Sequence, residues 1–257
     1  MKHYDCHAHV YDQIDAIKGA RYVPSSLAPL DSWLHLSRQN GCKGGVLVQV
    51  SFFGNDNSQI CQALSKLSRD KFVGVAGTSL DVTAEQLDRL VEAGIRGVRW
   101  NLVSGRDIPD LSSNSALTFF ERMRVANLHL ELHLEGNKTA EILDRVTDQG
   151  IPIVLGHFGL PSNSDHTLDP LLQKIDCLSD RSNLFVKFSA HYRTPFDLHA
   201  HADRLEDLLS AEHIVWGSDW PHTRFEQVAN FKSVSVVRDE NNFSAGRYAL
   251  KRLYGLE

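Results

Sequence analysis

Tyr4-Asp5-Cys6-His7-Ala8-His9-Val10 (YDCHAHV) forms the first apolar run of the chain, and the reading of everything after it turns on this stretch. Alternate residues of a strand point to the same side. His7 and His9 therefore present two imidazoles on one face near a strand end, a geometry that one metal ion can use. Two histidines at this spacing recur by chance. They gain weight because later apolar runs also end in a histidine or an aspartate: His133, His157 and Asp219. Eight runs read as strands: Tyr4–Val10, Gly45–Ser51, Phe72–Thr78, Gly97–Leu102, His129–Leu134, Ile153–Phe158, Leu184–Ala190 and His213–Asp219. They are rich in Val, Ile, Leu and Phe and mostly lack polar alternation, as expected of parallel strands buried on both faces.

Amphipathic segments lie between them: Ser32–Gln39, Ser58–Ser68, Ala84–Ala93, Leu117–Ala126, Thr139–Asp148, Leu168–Leu178 and Asp203–Leu209, with a last helix near Ser244–Leu253. Asn137 is placed to cap the helix that follows it, and Gly94 and Gly150 follow two helix ends. There is no low-complexity linker and no long internal repeat. Eight strand–helix units in 257 residues predict an α/β fold, a single distorted (β/α)8 TIM barrel, with one domain over residues 1–257. The rival, a doubly wound open sheet, usually carries a Gly-rich phosphate turn after its first strand, and none is present.

Composition narrows the class. Hydrophobic residues make up 42% and charged residues 23%, as in an ordinary soluble domain. A net charge of −5 and the lack of a basic stripe argue against a nucleic-acid partner. Cys6, Cys42, Cys61 and Cys177 are far apart with no C-x-x-C pair, which reads as reduced thiols in a cytoplasmic protein. The first residues lack an apolar signal core, no apolar run nears the ~18 residues of a membrane span, and mean hydropathy is −0.26. A cytoplasmic enzyme with no membrane partner is expected. A homo-oligomer is compatible with the sequence, but no residue pattern specifies one.

A barrel places its active site at the C-terminal ends of the strands. His7, His9, His133, His157 and Asp219 would then meet on one rim. A carboxylate ending an apolar strand must be solvated, paired or ligated, which singles out Asp219. His129, at a strand start, reads as a core histidine. His199 and His201 read as surface groups in a polar loop. His222 reads equally as a substrate contact or a plain loop residue. Cations gather at the same ends: Arg99 on a face shared with Asn101, Arg106 in the next loop, Lys187 and Arg193 around the seventh strand, and Arg224 after the eighth. Because guanidinium matches carboxylate in two hydrogen bonds, they point to an anionic small-molecule substrate. Ser51 and Gln49, ending the second strand, could add hydrogen bonds.

The segments DCHAHV (5–10), RGVRWN (96–101), LGHFG (155–159) and WGSDWPH (216–222) resemble the amidohydrolase superfamily, in its amidohydrolase-2 branch of lactonases and decarboxylases. VQVSFFGNDN (48–57) adds a likeness to pyrone-dicarboxylate lactonases and related sugar-lactone hydrolases. The resemblance implies a hydrolase that opens a lactone of a carboxylated or sugar-acid substrate by attack of an activated water. It implies that His7, His9, His157 and Asp219 are catalytic and that Arg99 grips a substrate carboxylate. Arg106 lies near a second such arginine but is offset by one position. Metal-dependent relatives would hold one divalent ion, zinc or manganese, through His7, His9, His133 and Asp219. The pyrone lactonases work without a metal and carry tyrosine where this chain has His133, so both versions stand.

In either version Asp219 takes a proton from the water. Without a metal, His7, His9 and His157 would polarise the carbonyl as donors. Arg99, with Arg106 or Arg193, would orient the substrate, and Ser51, Asn101 and His222 complete the expected contacts. The alternative is a metal-dependent decarboxylase of the same branch. A binding protein on this scaffold is disfavoured by a base and arginines together, and no G-x-S-x-G elbow suggests a serine hydrolase.

Overall fold

The computed structural model describes residues 3–103, 106–231 and 246–257. Eight strands form one sheet: β1 His3–Ala8, β2 Cys42–Val48, β3 Phe72–Gly77, β4 Ile95–Asn101, β5 His129–His133, β6 Ile153–Leu155, β7 Leu184–Phe188 and β8 Ile214–Trp216. Each pairs in parallel with the next in chain order. The barrel closes through the segment after β8. Ala8 bridges Trp220, the His9 amide donates to the Trp220 carbonyl at 2.7 Å, and the Asp219 amide donates to the His7 carbonyl at 2.8 Å. The closure thus fastens Asp219 directly to the strand that carries the two histidines.

Helices α1 Leu30–Gln39, α2 Ser58–Ser65, α3 Ala84–Glu92, α4 Asn114–Val125, α5 Gly136–Thr147, α6 Pro170–Cys177 and α7 His199–Leu209 alternate with the strands. Helix α8, Arg247–Ala249, continues as a π-helical turn over Leu250–Tyr254. Ser244, where the sequence reading began this helix, lies outside the described residues. Several starts follow local chemistry. Thr83 and Gln86 form a reciprocal capping box on α3, and Asp169 caps α6 with Pro170 in its first turn. Gly94 takes φ +100° just past α3, a left-handed stop that a side chain would strain.

Two local expectations are corrected. Asn137 does not cap α5: the helix begins at Gly136, directly behind Glu135, so Asn137 is already in its first turn. Gly136 has room only for hydrogen there, because a Cβ would stand 2.7 Å from the Leu160 carbonyl oxygen. His199 and His201 lie in α7 rather than in a loop. His201 is buried, with Nε2 2.9 Å from the Asn163 carbonyl. The His-Ala-His-Ala alternation of its first turn hid the helical period.

Outward-facing residues such as Val98, Leu130, Leu132 and Val186 pack with Phe119, Phe120 and Met123 of α4 and with α5 to α7 in one large apolar layer. Inside the barrel, Tyr4, Cys6, Val46, Val73, Phe185 and Val215 meet Leu250, Leu253 and Tyr254, so the C-terminal helix seals the floor. The opposite end is left for function.

Candidate active site

Residues from β1, β6 and the β8 closure converge above the barrel's centre. His7 Nε2, His9 Nε2 and His157 Nε2 lie 3.5, 3.6 and 3.9 Å from Asp219 Oδ1. His7, His157 and Asp219 are wholly or almost wholly buried. The backbone is bent to bring them there. His157 has φ +53° and Asp219 φ +56°, and Ala190 and His222 near them are also left-handed. Such conformations cost roughly 1–3 kcal/mol each in a non-glycine residue and persist where the surroundings fix them.

The other oxygen of Asp219 is fully engaged. Arg193 donates to Oδ2 through Nε at 3.1 Å and Nη2 at 2.7 Å, and the Tyr192 hydroxyl donates at 2.7 Å. The same hydroxyl lies 3.1 Å from His222 Nδ1. Burial would raise the Asp219 carboxyl, but the Arg193 guanidinium and the surrounding imidazoles hold it well below the usual carboxylate range. Burial, reinforced by the Lys187 ammonium, keeps His7 neutral, and burial likewise lowers His157. His9 Nδ1 donates to the Val48 carbonyl at 2.7 Å, and its Nε2 faces Asp219 Oδ1. His157 Nδ1 is 2.8 Å from Ser189 Oγ.

A cavity of about 420 Å³ opens over this cluster, with His9, Arg21, Arg99, Asn101, His133 and Arg193 among its walls. That volume suits a small ligand. Ser51, Tyr22 and Arg224 also line it. Arg99 reaches His133 Nδ1 at 2.9 Å. Burial and that guanidinium lower His133 strongly. Arg106 is exposed and stands on a recess of about 180 Å³ that shares Ser51, Arg99 and Asn101 with the main cavity. His222 is buried beneath Asp219 and Tyr192, away from the cavity walls. Gln49 spends its side-chain amide on the Asp56 carbonyl.

The sequence-derived ligand set and the close-packed one differ. Among the described residues, one group brings ligand atoms within 4.8 Å of one another: His7, His157 and Asp219. His7 Nε2, His157 Nε2 and Asp219 Oδ1 are buried without hydrogen-bond partners. Two neutral imidazole nitrogens and a carboxylate oxygen fit a single divalent ion in type and spacing. His9 and His133, both in the sequence-derived set, stand outside that group; His133 Nδ1 meets Arg99 of the neighbouring strand instead.

Several participants were not picked out from sequence. Tyr192 precedes Arg193 in a turn with no pattern of its own. Arg21 and Tyr22 sit in the long β1–α1 segment. Arg21 donates to Asn101 Oδ1 at 2.8 Å and to the Val103 carbonyl, and Tyr22 donates to Glu226. Lys187, read as a rim cation, is fully buried inside the barrel against Glu131. The one available signal was the strict alternation of His129-Leu-Glu131-Leu-His133, which puts three polar residues inside.

A parallel eight-stranded barrel with histidines and an aspartate at its strand ends, under an arginine-lined cavity, defines the class: a barrel hydrolase. The chain belongs to the amidohydrolase family, whose family model (Amidohydro_2) matches residues 4–233. It is 25% identical over 235 residues to the 4-sulfomuconolactone hydrolase of Rhizobium radiobacter, covering 86% of this chain and 76% of that protein. It is 24% identical over 237 residues to a 2-pyrone-4,6-dicarboxylate hydrolase of Comamonas testosteroni, covering 85% and 76% of the two chains. A crystal structure from Acinetobacter baumannii, provisionally assigned as a 2-pyrone-4,6-dicarboxylic acid hydrolase and holding citric acid, superimposes with a TM-score of 0.90. That chain is 26% identical, and the match covers 99% of this chain and all of the other. Among the described residues, no helix is long and apolar enough to cross a membrane.

Proposed function

We propose that the protein hydrolyses a lactone ring that carries one or more carboxylate or similar anionic groups. The observation that carries this reading is the convergence of three imidazole Nε2 atoms on one oxygen of Asp219 beneath an arginine-lined cavity. Relatives that act on anionic lactones support it.

Arg99, buried and held by the barrel, binds a substrate carboxylate in the cavity, with Asn101 and Ser51 beside it. Fixing the substrate converts a bimolecular attack into a local one. Asp219 Oδ1 faces the position where a water must sit, and it accepts that water's proton as the water attacks the ring carbonyl. The depressed carboxyl makes Asp219 a weak base, so the rate rests on positioning and on stabilising the oxyanion. His7 and His157 donate toward the developing oxyanion from a site closed to bulk solvent, where each donor counts for several kcal/mol. The bond from the carbonyl carbon to the ring oxygen then breaks, the ring oxygen takes the proton held on Asp219, and the open-chain hydroxy acid departs. A divalent ion such as zinc or manganese, held by Asp219 and by unprotonated Nε2 atoms of His7 and His157, would supply Lewis acidity and a lowered water pKa in place of those two donors. Arg193 secures the Oδ2 edge of Asp219 and also lines the cavity.

The test is turnover of 4-sulfomuconolactone, 2-pyrone-4,6-dicarboxylate and a sugar-acid lactone in ¹⁸O water. Ring opening with one label in the new carboxylate is expected for at least one of them. Release of CO₂ from a carboxylated substrate without ring opening would replace hydrolysis by decarboxylation. Metal analysis by plasma mass spectrometry, with activity before and after chelation, assigns the role of the ion.

A further inference from the structure

Beneath His7, inside the barrel, lies an ion pair that catalysis as described does not use. Lys187 of β7 and Glu131 of β5 are both fully buried, with Nζ 2.6 Å from Oε2. Taking two charges out of water is costly, and replacing such pairs with apolar residues is often neutral or stabilising. Stability alone is therefore a poor reason for this one. Its surroundings suggest another. Lys187 Nζ also lies 3.4 Å from His7 Nδ1 in a hydrogen bond. Glu131 Oε1 is at 3.4 Å from the same nitrogen and at 3.4 Å from Arg99 Nε, yet it completes no hydrogen bond.

A lysine ammonium has three donors and no acceptor. A ring nitrogen that receives its hydrogen bond must offer a lone pair, so the single proton of a neutral His7 belongs on Nε2. That proton then lies at the cluster around Asp219 Oδ1, 3.5 Å away and not yet in a hydrogen bond, where a reacting oxygen could receive it. His9 is held differently: its Nδ1 faces the Val48 carbonyl at 2.7 Å, with no ammonium beside it.

We infer that Lys187, held in place by Glu131, is a positioning residue that fixes His7 as the Nε2–H tautomer and so makes it a hydrogen-bond donor to the lactone carbonyl. An ion entering through His7 Nε2 would have to displace this proton toward a nitrogen that already faces an ammonium. The tautomer assignment stands on the geometry alone. Its effect on turnover rests on the lactonase reading above.

The test uses protein labelled with ¹⁵N-histidine and long-range proton–nitrogen correlation spectra, with His7 assigned by the loss of its signals in His7→Asn. A neutral His7 ring protonated on Nε2 is expected. A proton on Nδ1 would overturn the inference, because Glu131 would then be the acceptor and Lys187 only its counter-ion. Lys187→Met alone would take from the buried Glu131 carboxylate its nearest cation, so the second measurement uses the double variant Lys187→Met, Glu131→Leu, which removes both charges of the pair. Its His7 ring should move to the Nδ1–H form or a mixture. On whichever lactone the wild type opens, its kcat should fall at least about tenfold, toward the ~10² of a lost oxyanion donor; KM is no part of the comparison, because Glu131 also faces Arg99. A folded double variant with the wild-type tautomer, or with a shifted tautomer and unchanged kcat, would overturn the role. If no lactone is opened by the wild type, the spectra still decide the tautomer, so the two readings fail separately.

Discussion

His129 and His133 share the inward face of β5, and they live in different worlds. His129 is at the floor. Its ring stands edge-on to Tyr254 at 5.3 Å, and Nδ1 is 3.2 Å from the Leu253 carbonyl. Gly97 on the adjacent strand makes the space, since a Cβ there would lie 2.2 Å from His129 Nε2. His133 is at the mouth, where it walls the cavity and receives Arg99. Neither residue type nor strand face separates them. What separates them is the cover: the C-terminal helix closes one end of the barrel, and among the described residues no helix packs over the other end in the same way.

If that contrast is right, the largest effect belongs to the mouth. Asp219→Asn should lower kcat by about a thousandfold, within the range for loss of a general base, with the circular dichroism spectrum unchanged. Near-normal kcat would remove Asp219 from the role of base.

The next effect belongs to the floor and appears in stability rather than rate. Burial lowers the His129 imidazole to about 4. The unfolded chain, with an ordinary histidine near 6.5, binds this proton first as pH falls. Stability is therefore fully present above about pH 6.5 and declines toward pH 4, by about 3 kcal/mol in all for this group. Urea midpoints measured from pH 7 to pH 4.5 should fall less steeply in His129→Leu than in the wild type. Parallel slopes would mean that the floor is wetter than its packing suggests.

Back at the mouth, Arg99→Met should raise KM for a carboxylated lactone about ten- to a hundredfold, the weight of one or two charge-assisted hydrogen bonds, with a smaller change in kcat. An unchanged KM would mean that another group holds the carboxylate. Arg106→Met should have the smallest effect. Its side chain is exposed on the side recess, where solvent screens it, and a KM change under about threefold is expected. A larger change would make the recess part of the binding site.

Much of this was legible in the chain because two simple periods carry it. Runs such as Gly45–Ser51 and Leu184–Ala190 have the length and composition of strands buried on both faces, and the helices between them show their own period. The barrel rule then located His7, His9, His157 and Asp219 correctly at one end. What stayed hidden depends on partners distant in sequence. Lys187 looks like any strand-end cation until Glu131, 56 positions earlier in the chain, is seen across the barrel. Arg193 looks like a substrate arginine until its guanidinium is found on Asp219. The cross-strand contact of His133 with Arg99 is likewise announced by no local pattern.

The grip of Arg193 and Tyr192 on Asp219 Oδ2 has a stereochemical consequence. A carboxylate with one oxygen locked can meet water only along its remaining edge, and that edge is fixed relative to Arg99. A planar ring carbonyl whose carboxylate is anchored at Arg99 can then offer only one of its two faces to the incoming water. Mirror-image lactones offer opposite faces in that pose, so a racemic substrate should be consumed to half and then stop.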